Sequence, residues 1–137
     1  MSFVLDSSVA LTWCFEDERT PATEALLKRV VEGGAVVPVL WALEILNALA
    51  MAERRKRVDR DIRHRLAGFM RELPIRVDIE SATTAWTNTA TLAERHQLTL
   101  YDASYLEVAH RLALPLGTLD GALRKAADAL RVPLLGK

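Results

Sequence analysis

Short apolar runs separated by helical patterns do most to limit what this chain can fold into. The runs are SFVLD at 2–6, AVVPV at 35–39, IRVDI at 75–79, LPLGTLD at 114–120 and VPLL at 132–135. Taken together they lack the strict apolar/polar alternation of strands with one face in water, so they read as strands covered on both sides. A helical stretch follows each of the first four, and strand–helix alternation is the pattern of a mainly parallel sheet. The expected fold is α/β, a central parallel sheet between two layers of helices.

The helical stretches carry their own boundary signals. In TPATEALLKRVVE, Thr20 is placed to cap, Pro21 takes the first helical position, Glu24 falls near the first turn and Gly33-Gly34 ends the helix. A long helix is expected from Leu40 to Arg55. A second runs from Asp59 to Glu72 with an apolar stripe at Ile62, Leu66, Phe69 and Met70. SSVALTWC at 7–14 and the threonine-rich ESATTAWTNTATLAERHQ at 80–97 read as helices, as does the stretch after Asp102, with Ala103, Leu106, Ala109 and Leu112 on one face. GALRKAADAL at 121–130 is the last. No repeat, low-complexity tract or linker interrupts this order, so residues 1–137 are read as one domain.

Charge and cysteine content narrow the function. Eighteen basic residues balance eighteen acidic ones, so net charge selects no partner. One cysteine, Cys14 within LTWCF, excludes an internal disulfide framework and reads as a structural thiol, and no Cys/His set has zinc spacing. MSFVLDSS lacks the basic start and apolar length of a signal peptide, and no segment has the roughly 20 apolar residues of a membrane span. The expected location is cytoplasmic, with no membrane partner.

The placement of four acids is more informative. Asp6 closes the first apolar run and Asp120 a late one. Asp102 opens a helix, and Glu44 is the sole charge between Glu32 and Glu53. Each has an ordinary explanation alone: Asp102 and Asp120 as helix caps, Asp6 as the start of a turn, Glu44 as a solvated residue near a helix start. Together they fall on the carboxyl edge of one sheet, where ligands of such folds bind. Four carboxylates within a few ångströms would raise one another's pKa unless a divalent cation joined them. Oxygen donors without Cys or His select a hard ion, Mg²⁺ or Mn²⁺, and such an ion suits phosphodiester hydrolysis. Calcium storage is disfavoured, since no EF-hand loop is present.

In FVLDSSVAL, ALEILNAL, LTLYDASYLEVAHRLALPLGTLD and the terminal VPLL, taken in order, the chain resembles the PIN-domain family, most closely the VapC ribonuclease toxins of toxin–antitoxin pairs. The likeness runs end to end and implies a PIN-like three-layer α/β/α sandwich. It implies that Asp6, Glu44, Asp102 and Asp120 hold Mg²⁺, with Mn²⁺ the alternative. A water-derived hydroxide would then cleave RNA to leave a 5′-phosphate and a 3′-hydroxyl. Ser8 and Thr118 match family hydroxyls that orient carboxylates or waters. The partners implied are an RNA substrate, a VapB-type antitoxin and a second copy of the chain, with a larger toxin–antitoxin complex as an extension.

Other residues are read on their own. Asn47 lies one turn after Glu44 and suits a supporting polar role. The basic run ERRKRVDRDIRHR contains Arg54, Arg55, Lys56 and Arg57, read either as a solvated helix connection or as RNA-phosphate contacts. His64, His96 and His110 read as surface or structural residues, and Trp13, Trp41 and Trp86 as core or interface aromatics. The competing function is a catalytically silent PIN-like module that binds RNA or a partner.

Overall fold

The computed structural model describes residues 2–137. Five strands, β1 (Val4–Leu5), β2 (Ala35–Pro38), β3 (Ile75–Asp78), β4 (Leu116–Gly117) and β5 (Leu134–Leu135), form one sheet in the order β3-β2-β1-β4-β5. All four pairings are parallel, with Val4 opposite both Val36 and Leu116. The sandwich expected from the sequence is present.

The paired segments are shorter than the apolar runs around them, because helices begin at once beyond the sheet edge. The Asp6 amide still donates to the Gly117 carbonyl (3.0 Å), but the Asp6 carbonyl already accepts from Val9 and Ala10 as α1 (Ser7–Thr12) starts. LPLGTLD likewise leaves the sheet at Gly117, and Asp120 stands three residues on, as the cap of α8 (Gly121–Ala129). IRVDI alternates in sequence, but burial does not follow it: in the edge strand β3 both Arg76 and Val77 are exposed while Asp78 is buried.

Between β1 and β2, α1 leads through a 3₁₀ turn (Glu16–Glu18) to α2 (Pro21–Gly33). The Thr20 cap forms as expected, its Oγ1 accepting from the Thr23 amide, but its reciprocal partner is Thr23, not Glu24. Gly34 ends α2 at φ 76°, where a Cβ would sit 3.0 Å from the Pro74 carbonyl, so the position requires glycine. Helices α3 (Trp41–Arg54) and α4 (Arg60–Glu72) pack as a hairpin before β3. The α4 stripe is buried only in part: Met70 is enclosed, while Ile62 and Phe69 are 36% and 38% exposed. α4 rests mainly on α3, which leaves that side open.

The 80–97 stretch is helical but not uniform. α5 (Ser81–Thr84) passes through a π turn (Ala85–Thr89) into α6 (Ala90–His96). The wide turn falls on a threonine-rich segment, whose branched side chains are ill suited to a regular α-helix. Helix α7 (Leu100–Leu112) departs most from its expected single apolar face: Ala103 through Ala109 are all buried. It lies against β1, β2 and β4, with α8 beside it and the α5–α6 segment behind, so it is enclosed all round.

That enclosure makes a buried charge necessary to explain. Glu107 of α7 is 2% exposed in its side chain, and Arg111 bonds it at 2.8 Å while also pairing with Asp78 at the end of β3 and with Glu80 (3.3 Å). Thr84 donates a further bond to Glu107 (2.7 Å). The network fastens α7 to β3 and α5. Among the described residues, no helix is long and apolar enough to cross a membrane.

Candidate active site

The chain builds β1, β2 and β3 outward on one side, then returns to place β4 and β5 on the other side of β1. The reversal lies between β1 and β4, and the crevice beyond the carboxyl ends of such a pair is where open α/β sheets bind ligands. Asp6 leaves β1 at that point, and Thr118 and Asp120 follow β4. Asp102 and Glu44 arrive in the first turns of α7 and α3. Four separate elements thus supply the four acids.

Asp6 is 3% exposed. Two hydroxyls donate to the same carboxylate oxygen, Ser8 Oγ to Oδ2 at 2.6 Å and Thr118 Oγ1 to Oδ2 at 2.7 Å. The hydroxyls are fixed in turn, because Ser8 Oγ accepts from the Leu119 amide (3.0 Å) and Thr118 Oγ1 from the Asp120 amide (3.1 Å). Asp120 caps α8, its Oδ2 accepting from the Leu123 amide (2.8 Å). Glu44 is half-buried, and its Oε1 accepts a hydrogen bond from the Tyr105 hydroxyl of α7.

The acids act on one another electrically. Burial pushes the Asp6 carboxyl up, and the Asp120 charge adds to the rise. Glu44 is raised by burial and by Asp6. Asp102 is pushed up to about 6 by burial and then by the charges of Asp6, Asp120 and Glu44. Burial and the neighbouring carboxylates also keep the proton on Tyr105, which therefore donates to Glu44.

The sequence expectation of convergence within a few ångströms is met only in part. Among the described residues, no three His, Cys, Asp or Glu side chains stand drawn together as a ready metal-ligand group. Their oxygens are instead engaged with hydroxyls and amides. The donor set nevertheless fits a hard divalent cation: all donors are oxygen, and the mutual rise in pKa is the conflict such an ion relieves. Asp6, Glu44, Asp102 and Asp120 would hold it, with Ser8 and Thr118 orienting Asp6.

The pKa of Asp102 gives a stability test. Folded Asp102 keeps its proton to about pH 6, whereas an unfolded chain loses it near the ordinary aspartate value of 3.8. Its stabilising contribution is therefore full below about pH 4 and is lost as pH rises through 6. In metal-free protein, Asp102→Asn should gain on the wild type between pH 4 and 7. The gain should be about 1 kcal/mol, since a half-exposed group realises only part of such a shift. Denaturant melts across that range check it; parallel curves would contradict the environment described for Asp102.

Asp102 does not cap its own helix, contrary to the sequence reading. Thr99 does, its Oγ1 accepting from the Asp102 amide (3.1 Å), and Asp102 occupies the first turn. The signal was in the sequence, since Thr-x-x-Asp is a form of capping box. Tyr105 was missed altogether. Asn47 is exposed on α3, with nothing tying it to Glu44.

The basic cluster divides. Arg54, Arg55 and Lys56 are exposed at the end of α3, but Arg57 is already paired with Asp17 (2.7 Å) and Glu18 (2.5 Å) and lies 4.0 Å from the centre of the Phe15 ring. Trp13 is core, donating to the Thr23 carbonyl (2.8 Å), and Trp41 is buried, whereas Trp86 is 87% exposed on the π turn. His64 and His110 are exposed and His96 is half-buried. Burial pushes the Cys14 thiol up to about 11, which fits an unreactive structural role. A cavity of about 630 Å³ between α3, α4 and β3 is lined by residues such as Trp41, Ile45, Met70 and Val77 and contains none of the four acids.

A parallel sheet flanked by helices, with acids supplied by four elements around its point of reversal, defines an α/β fold. The PIN domain model matches residues 3–129, and the chain belongs to the PIN domain family. PAE2754 from Pyrobaculum aerophilum has a similar crystal structure, with a TM-score of 0.68 at 23% identity over 92% of this chain and 84% of that one. The crystal structure of VapBC2 from Rickettsia felis bound to a DNA fragment from their promoter is also similar. Its TM-score is 0.68 at 9% identity, over 98% of this chain and 97% of that one. No curated protein matches the sequence.

Proposed function

We propose that this protein is a Mg²⁺- or Mn²⁺-dependent endoribonuclease and the toxin of a VapBC-like toxin–antitoxin pair. The observation that carries the reading is the arrival of Asp6, Glu44, Asp102 and Asp120 from four elements of a PIN domain at its sheet reversal. The VapBC2 likeness in fold supports a toxin role with a VapB-type antitoxin as partner, and a homodimer within a larger complex follows the same reading.

A divalent cation, when bound, supplies Lewis acidity and lowers the pKa of water. The chain's own residues supply position. Asp6 is held by Ser8 and Thr118, Asp120 by the start of α8, and Glu44 by Tyr105. Arg54, Arg55 and Lys56 are available for RNA phosphates, while Arg57 serves the fold. Hydrolysis would leave a 5′-phosphate and a 3′-hydroxyl.

The test is incubation of purified protein with a mixed cellular RNA pool in Mg²⁺, in Mn²⁺ and in chelator. Discrete cuts that require metal are expected, with the ends just described. RNA binding without cleavage under all three conditions would instead favour a silent PIN-like module.

A further inference from the structure

In three of the four acids one oxygen already accepts a hydrogen bond, which makes the other the freer donor to a ligand. Asp6 has Oδ2 occupied by two hydroxyls, Asp120 has Oδ2 occupied by the Leu123 amide, and Glu44 has Oε1 occupied by Tyr105. The remaining nearby donor is weaker: the Ser7 hydroxyl meets Asp6 Oδ1 at 3.5 Å, the limit of a hydrogen bond, and also approaches Glu44 and Tyr105. Among the described residues, Thr99 is the side chain that hydrogen-bonds Asp102.

A carboxylate with one oxygen tied cannot easily grip an ion with both. Ca²⁺ takes six to eight oxygens, often from bidentate carboxylates, whereas Mg²⁺ takes six near-octahedral ligands and binds carboxylates through single oxygens. We propose that Tyr105 is a specificity-determining residue: by holding Glu44 Oε1 it confines Glu44 to one-oxygen coordination, and so biases the site against Ca²⁺ and toward Mg²⁺ and Mn²⁺. Ser8 and Thr118 impose the same restriction on Asp6.

Glu44 is the acid at which this control is most exposed to test. Asp6 is held by two donors and is buried, and Asp120 is held by backbone, so neither can be released by one mild substitution. Glu44 is half-buried and its Oε1 accepts from the Tyr105 hydroxyl of another helix, 61 residues away in sequence, with Ser7 a weaker second donor. Tyr105 is fully buried, and phenylalanine preserves its ring while removing only that hydroxyl.

The inference rests on the proposed metal site, and the experiment separates the two. Mn²⁺ and Ca²⁺ binding are measured by calorimetry and by the rise in melting temperature, with wild type, Tyr105→Phe and Thr118→Val, without RNA. The wild type is expected to bind Mn²⁺ in clear preference to Ca²⁺. Tyr105→Phe should lose about tenfold of that preference, chiefly through tighter Ca²⁺ binding, a size in keeping with residues that orient ligands. Thr118→Val should move the ratio the same way and stands in if Tyr105→Phe fails to fold. An unchanged ratio in folded variants that still bind Mn²⁺ would overturn the role of Tyr105 and leave the metal site standing. Failure of the wild type to bind either ion would overturn the site, and the inference with it.

Discussion

Asp6→Asn should abolish metal-dependent RNA cleavage, by about a thousandfold or more, while leaving the fold intact and the metal-free protein no less stable at neutral pH. Loss of a group that stabilises developing charge typically costs two or three orders of magnitude in rate, and Asp6 is the most enclosed of the four acids. Stability should move the other way, because burial and Asp120 make the Asp6 charge unfavourable in the metal-free protein. Asparagine keeps an oxygen for the Ser8 and Thr118 hydroxyls and removes the charge. Divalent ions should raise the melting temperature of the wild type and not of the variant, since a ligand stabilises only the state it binds. Cleavage assays and melts with and without Mn²⁺ check both halves. Cleavage that survives the substitution would remove the carboxylate mechanism, and a variant that unfolds would show Asp6 to be structural.

The largest stability loss is expected far from those acids. Arg111→Met should cost about 3–5 kcal/mol, the usual cost of removing one partner from a buried ionic group. It would leave the Glu107 and Asp78 side chains, 2% and 7% exposed, without their shared cation. For a chain of this size the melting temperature should fall by roughly 10–20 °C. Lysine should rescue little, because Arg111 contacts Glu107, Asp78 and Glu80 through different nitrogens. Adding Glu107→Gln and Asp78→Asn should recover most of the loss, since the unpaired charges then disappear. Melts of the single and triple variants test this. A single variant within about 1 kcal/mol of the wild type would mean that water satisfies these carboxylates.

The contrast between the two sites explains what could be read in advance. Asp6 and Asp120 each follow an apolar run and Glu44 is isolated in one, so local pattern was enough to select them. The strand order then set Asp6 and Asp120 beyond the ends of two adjacent strands, on the two sides of the reversal. Arg111 and Glu107 are spaced as a helical ion pair, but Asp78 lies 33 residues away and only packing brings it to them. Tyr105 drew no reading for the same reason, since its partner Glu44 is on another helix. The even burial of α7 was hidden too, because the segment that covers its outer side is the irregular α5–α6 stretch. Trp86 shows the converse: an apolar side chain in a helical pattern is thrown outward on the π turn.

The two aspartates at helix starts differ in what they would cost a lineage to lose. At α7 the cap belongs to Thr99, so Asp102 bears on the fold little beyond its own charge. At α8 the same carboxylate that belongs to the acidic set also caps the helix, a contact whose removal costs about 1 kcal/mol. Descendants that abandon the chemistry while retaining the scaffold therefore have an easy exit at position 102 and a dear one at 120. In such sequences the aspartate before α8 should outlast its partner.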